Sequence, residues 1–294
     1  MMSRIGVSWR NVMLKDILVC LEGSRSSDAA TQTAIEIARE RHATLVGMAI
    51  IDEPDIRAGT PASIGGASFK HERDETLLAD ARNRASGWLG TFERRCRAQG
   101  VPARLLKTVG RPAKSIIAEI ERHDLIVMGR DANFRFETES EDSATRDKIL
   151  RHATHPVLII PEADSEAPAG LGHTVLIGYD GSEAAEHALA SFVRTGLAES
   201  RDIHVATVGD DGERAWDMAN AATEKLRSFG ITAFTHNIVS PLPASAALVK
   251  LGSDLGAGLL VMGAFARSWL AELIHGSGTR KIVEHSKAPL CLQH

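Results

Sequence analysis

The sequence predicts an α/β protein built as two tandem doubly wound domains, each a five-stranded parallel sheet flanked by helices. Three observations predict it. Short β-branched runs alternate with longer segments of helical spacing, the pattern of βαβ units. The runs "DILVCL" and "DLIVMG" are apolar on both faces, as strands of a sheet covered on each side must be. The third observation is that three blocks occur twice in the same order, at a period of about half the chain, far longer than a solenoid unit.

The repetition can be followed block by block. "DILVCLEGSRSSDAATQTAIEIA" at 16–38 is matched by "TVLIGYDGSEAAEHALASFV" at 174–193, so that Glu22-Gly23-Ser24 corresponds to Asp180-Gly181-Ser182. "HDLIVMGRDANF" at 123–134 is matched by "AGLLVMGAFARS" at 257–268, and "ATRDKILRHATHPVLII" at 144–160 by "GTRKIVEHSKAPLCL" at 278–292. Strands are expected at 16–21, 43–51, 102–108, 124–129 and 156–161 in the first half. The second half should place them at 174–179, 202–208, 232–239, 258–263 and 288–293. Helices starting near Ser26, Ser182 and Ser277 have a serine available as N-cap. The stretch "EADSEAPAGLG" at 162–172 reads as the linker, giving domains over 13–162 and 173–294. Between strand two and helix two the first half carries a glycine-rich insert, 52–72, read as a lid or a plain surface loop; the second half has only "GDDGER" there.

Composition bounds the function. A chain of 294 residues is long for one domain and comfortable for two, since domains cluster near roughly 100–150 residues. No run approaches the roughly 18 apolar residues of a membrane span, and residues 1–12 do not resemble a secretory signal. The cytoplasm is the expected compartment and no membrane partner is expected. Cys20, Cys96 and Cys291 are odd in number and far apart, which argues against a disulfide framework. A net charge of −4 with mixed signs offers no basic stripe for nucleic acid. His152 and His155 stand three apart but lack a third metal ligand at suggestive spacing, so no metal is expected. Neither a dinucleotide fingerprint nor a G-x-S-x-G elbow is present, and dedicated catalysis is not indicated; slow ATP hydrolysis stays open.

In an open parallel sheet, ligands bind beyond the carboxyl ends of the strands where the strand order reverses. In the second half Asp180, Gly263 and Gly276-Ser277 fall on that edge. Glycines let backbone N–H groups approach an anion, and a helix N-terminus adds unpaired donors and partial positive charge. Ser277 adds a hydroxyl, and Arg280 sits one turn into the helix. Each alone has a plainer reading: Gly263 ending a strand, Gly276 relieving a turn, Asp180 as a turn residue and Arg280 as a solvated helix position. Only their joint spacing points to a phosphate chain.

"ILVCLEGS", "GRPAKSIIAEIERHDLIVMG", "VLIGYDGS" and "LLVMGAFARSWLAELIHGSGTRKIVEHSKAPLCL" resemble the universal stress protein family in its tandem form, from about residue 14 to the end. The resemblance implies the adenine nucleotide alpha hydrolase-like fold and, for an ATP-binding subset, G-x2-G-x9-G followed by Ser or Thr after the fourth strand. The second half offers Gly263, Ala266 where the second glycine belongs, then Gly276 and Ser277. By that resemblance Asp180 contacts the adenosine, Val208 lies against adenine, and Gly263, Ala266, Gly276, Ser277, Gly278, Thr279 and Arg280 hold the phosphates. ATP, with or without magnesium, is the implied cofactor. In the first half the same spacing from Gly129 reaches Ala132 and then Asp142-Ser143, with Glu137, Glu139 and Glu141 close by. Like charges oppose a triphosphate, so this half is expected not to bind it. Its expected job is to pair with the second half or to present an altered surface to a partner; a homodimer is left open. A rival from another class is an interaction module without nucleotide, and a third is an adenylate-transferring enzyme, whose serine-and-glycine-rich loop after strand one is missing.

Overall fold

The computed structural model describes residues 14–58, 67–132, 134, 144–162, 170–264, 282–284 and 286–294. The first half runs β1 (Asp16–Leu21), α1 (Arg25–Arg41), β2 (Thr44–Ile51), α2 (Glu53–Ala58), α3 (Ala67–Ala98), β3 (Ala103–Val109), α4 (Pro112–Ile120), β4 (Leu125–Gly129), α5 (Ala144–His152) and β5 (Val157–Ile160). The second runs β6 (Thr174–Gly178), α6 (Glu183–Arg194), β7 (Asp202–Gly209), α7 (Gly212–Ser228), β8 (Ala233–Val239), α8 (Ala244–Asp254), β9 (Leu259–Gly263) and β10 (Leu290–Gln293). Every strand lies within two residues of the run that predicts it.

All ten strands join one sheet in the order β3-β2-β1-β4-β5-β10-β9-β6-β7-β8. Among the described residues pairing is parallel within each half and antiparallel only at the seam, where Leu290, Cys291 and Leu292 face Ile159, Leu158 and Val157. The central strands are buried on both sides because an apolar layer covers each face. One layer, carrying Phe92 and Phe192, lies beneath α1, α3, α6 and α7; the other, with Met48, Leu150, Leu248 and Met262, lies beneath α4, α5 and α8. Both layers run across the seam without a break. Burying a side chain such as Phe192 contributes about 1.5–3 kcal/mol. Ion pairs add to the seam at its helical face: Arg41 meets Glu199 at 2.6 Å and Arg201 meets Glu40 at 3.2 Å, tying α1 to the turn before β7.

Helix starts depart from expectation at one place. Ser24, not Ser26, caps α1, its Oγ accepting from Ser27 N at 3.1 Å. Ser26 lies inside the first turn, buried, where its Oγ instead accepts from Asp131 N at 3.1 Å. Ser182 caps α6 as expected, accepting from Ala185 N at 3.2 Å. Ser277 lies outside the described residues. The 52–72 insert is largely helical where described: α2 occupies its start, and α3 already begins at Ala67. No helix among the described residues is long and apolar enough to cross a membrane.

Candidate nucleotide site

β6 has β9 on one side and β7 on the other, so the strand order reverses between β6 and β9, the position at whose carboxyl ends open parallel sheets bind ligands. Asp180 follows β6 at that carboxyl end, 6% exposed. Its Oδ1 accepts from Ser182 N at 3.0 Å and from Ser182 Oγ at 2.6 Å, an arrangement allowed because Gly181 takes φ +71° in the intervening turn. Ser182 therefore fixes the carboxylate while capping α6. The preceding residue is fixed as well. Tyr179 N donates to Ala206 O at 2.9 Å, and Thr207 Oγ1 donates to Tyr179 O at 2.7 Å. The Tyr179 hydroxyl donates to Glu186, which also pairs with Lys225; burial and then the Glu186 carboxylate push the phenol above its ordinary range. Thr207 and Tyr179 were not singled out from sequence; the signal was a lone hydroxyl inside the apolar run "HVATVG".

Val208, near the end of β7, is 7% exposed and shares its apolar layer with Leu248 and Met262. Gly263 ends β9 against the first turn of α6. A Cβ there would lie 2.6 Å from Ala184 C and Ala185 N, so packing alone demands glycine. Gly129 meets the same demand in the first half, where a Cβ would come within 2.7 Å of Ser26 C and Ser27 N. Ala266, Gly276, Ser277, Gly278, Thr279 and Arg280 lie outside the described residues. Arg146, the repeat counterpart of Arg280, is 8% exposed and donates from Nη1 to Arg130 O at 2.8 Å, bracing the seam-side loop after β4.

The first half builds the same corner differently. Glu22 folds back to accept from Ser24 Oγ, and its own N–H donates to Ser27 Oγ at 3.3 Å. Trp88 of α3 closes over Gly23, leaving no room for a Cβ. Burial first, then the charges of Asp131 and Asp28, raise the Glu22 carboxyl above its usual range, against the lowering effect of the Ser24 bond. A carboxyl that ionises reluctantly marks an environment unfavourable to further negative charge. The edge is not uniformly acidic, however. A cavity of about 460 Å³ nearby is lined by Asp52 and Asp55 but also by Arg111, Lys114 and Lys148. Glu137, Glu139, Glu141 and Asp142 lie outside the described residues.

Other side chains singled out from sequence have structural partners. His152 Nδ1 lies 2.8 Å from Lys148 O, and His155 Nδ1 lies 3.1 Å from Thr154 Oγ1. The three cysteines are free and buried; burial pushes the Cys20 and Cys291 thiols up to about 12, which disarms them as nucleophiles.

The sequence matches the universal stress protein family over residues 13–161 and again over 172–292. The chain belongs to the universal stress protein family. A curated relative, the universal stress protein Slr1230 of a Synechocystis strain, is 25% identical over 169 residues, spanning 57% of this chain and 56% of that relative, about half of each. Among solved structures, a universal stress protein from Archaeoglobus fulgidus aligns over 96% of this chain and 98% of its own, at 19% identity and a TM-score of 0.68. A functionally unknown protein from Pseudomonas aeruginosa aligns over 96% and 93%, at 16% identity and a TM-score of 0.58. At such identities these two likenesses speak for a shared fold alone.

Proposed function

We propose that the second half binds ATP or a related adenine nucleotide at the carboxyl ends of β6, β7 and β9, and that this universal stress protein acts by responding to the ligand. The observation that carries the proposal is Asp180: a carboxylate almost wholly withdrawn from solvent, fixed by two donors from Ser182, at the point where the strand order reverses. A carboxylate so placed suits a ribose hydroxyl or a base amine. Val208 supplies an apolar surface for a flat base. The phosphates, with or without magnesium, fall by motif to Gly263, Ala266, Gly276, Ser277, Gly278, Thr279 and Arg280. A nucleotide that binds only the folded half stabilises it by about 2.7 kcal/mol at a hundred times its Kd, enough to shift a surface or an assembly state. A cytoplasmic setting fits the three free, buried thiols.

One observation favours the rival reading, an interaction module without nucleotide. Gly263 is needed for packing whether or not a ligand is present, and Gly129 is needed identically in the half whose motif is acidic. Calorimetry separates the two. With millimolar ATP the wild-type chain should give saturable heat, Asp180→Asn should weaken it at least tenfold, and Gly276→Asp should abolish it with the circular dichroism unchanged. No heat with wild type, and no nucleotide co-purifying by mass spectrometry, would leave the interaction module standing.

A further inference from the structure

The insert between β2 and α3 gives the first half a wall that the second half lacks. β2 ends at Ile51 and α2 follows after Asp52, whose Oδ1 accepts from Asp55 N at 3.1 Å; Arg57 then ties α2 to Glu75 of α3 at 3.0 Å. In the second half only Asp210 and Asp211 separate β7 from α7. Between α2 and the starts of α4 and α5 lies the cavity of about 460 Å³, within the roughly 300–1,000 Å³ of small-molecule sites. Its walls differ in charge. Asp52 and Asp55 line the α2 side, Arg111 and Lys114 the α4 side, and Lys148 the α5 side. Among the described residues none of these three cations has an ion pair or a side-chain hydrogen bond. α4 also begins without a side-chain cap: Pro112 has no N–H, and Arg111 offers the amides of Ala113 and Lys114 no side-chain acceptor. The decisive group is Thr145 on α5. It lines the cavity, is only 8% exposed, and among the described residues its hydroxyl has no hydrogen-bond partner. Buried hydroxyls are nearly always paired, so this one is left for something that enters the cavity.

We propose that this cavity is a ligand site of the first half, separate from the nucleotide site of the second, and that it takes a small phosphate monoester that also carries an amine. Three cations, two uncapped amides and a hydroxyl exceed what the two oxygens of a carboxylate can use, and they match the three oxygens of a phosphate dianion at a helix N-terminus. The amine belongs to the opposite wall, where Asp52 and Asp55 supply acceptors. The same two carboxylates oppose a triphosphate by like charge, which keeps the site apart from ATP. The insert thus sets the selectivity: without α2 the cations would face no acceptor.

Calorimetry of the full chain with O-phosphoethanolamine, inorganic phosphate and ethanolamine tests this. Phosphoethanolamine should bind saturably and about tenfold more tightly than either fragment, Lys114→Gln should weaken it about tenfold, and Asp55→Asn should bring it down to the affinity of inorganic phosphate. Thr145→Val should weaken it too, yet raise the urea midpoint of the ligand-free protein, because a methyl replaces a hydroxyl that has no protein partner. Gly276→Asp, aimed at the second half, should leave phosphoethanolamine binding unchanged, so that loss of ATP heat and loss of this binding are separate results. Should Lys114→Gln lose its circular dichroism, Lys148→Gln replaces it with the same expected loss. A wild type giving no saturable heat at about 10 mM phosphoethanolamine, a folded Lys114→Gln that binds as the wild type does, or ATP heat that survives Gly276→Asp and disappears with Lys114→Gln overturns the inference.

Discussion

Replacing Gly263 by alanine adds one methyl group where α6 begins. The new Cβ would stand 2.6 Å from Ala184 C and Ala185 N, against 3.4 Å for ordinary contact, so the helix start must retreat by about 0.8 Å. Backbone cannot swing aside as a flexible side chain can. Overpacking of this kind costs about 1–3 kcal/mol, and a retreat that loosens the Ser182 cap adds about 1 kcal/mol. A loss of about 2–4 kcal/mol lowers the melting temperature by roughly 3–6 °C in a protein of this size. Gly129→Ala should behave alike, since Ser26 and Ser27 crowd it equally. Gly87→Ala is the opposite control: it lies within α3 with no atom inside 4 Å of the added Cβ, and should gain about 0.5–1 kcal/mol. Urea unfolding followed by far-ultraviolet dichroism ranks the three, and ATP calorimetry on each reads the ligand. If Gly263→Ala unfolds at the wild-type midpoint yet loses nucleotide heat, the packing argument is refuted and the glycine serves the phosphate.

Three further outcomes are expected. Arg201, its side chain 9% exposed, donates to Gly172 O, Leu197 O and Glu40, and hydrogen bonds to charged groups contribute roughly 1.5–3 kcal/mol, so Arg201→Ala should cost about 2–3 kcal/mol in urea unfolding, little changed by 0.5 M salt. The raised Glu22 carboxyl binds its proton more readily folded than unfolded, so its contribution is fully present below the ordinary value of 4.5 and is lost as pH rises through the folded value. Glu22→Gln should therefore raise the urea midpoint at pH 7, and the gain should vanish near pH 4. His204 and His236 are lowered, chiefly by burial, so their contribution is present above 6.5 and lost as pH falls. His236→Leu should flatten part of the decline in stability between pH 7 and pH 5, measured by the same assay.

What the sequence made legible follows from what each pattern encodes. The strands were readable because a run apolar on both faces, such as "LLVMG" in β9, has few other uses in a polar chain. Asp180 was readable because an acidic residue, glycine and serine after such a run mark both a turn and a cap. The start of α3 was not readable: its first two turns bury only Asp74, and the apolar stripe begins at Leu78, so nothing there announces a helix. The sequence reading puts the α1 cap near Ser26, and the turn at Gly23, with φ +82°, moves it to Ser24. The meaning of Gly263 was hidden for a deeper reason. A close-packed helix and a close-lying phosphate both forbid a side chain, and a single letter cannot tell which one does so.

The one antiparallel pairing among the described strands, β5 with β10, has a directional consequence. Because every strand of one half runs against every strand of the other, the two mouths open toward opposite poles of the molecule. Any message between them must travel through the seam: the β5–β10 pairing, the two apolar layers that cross it and the Arg41–Glu199 and Arg201–Glu40 ion pairs.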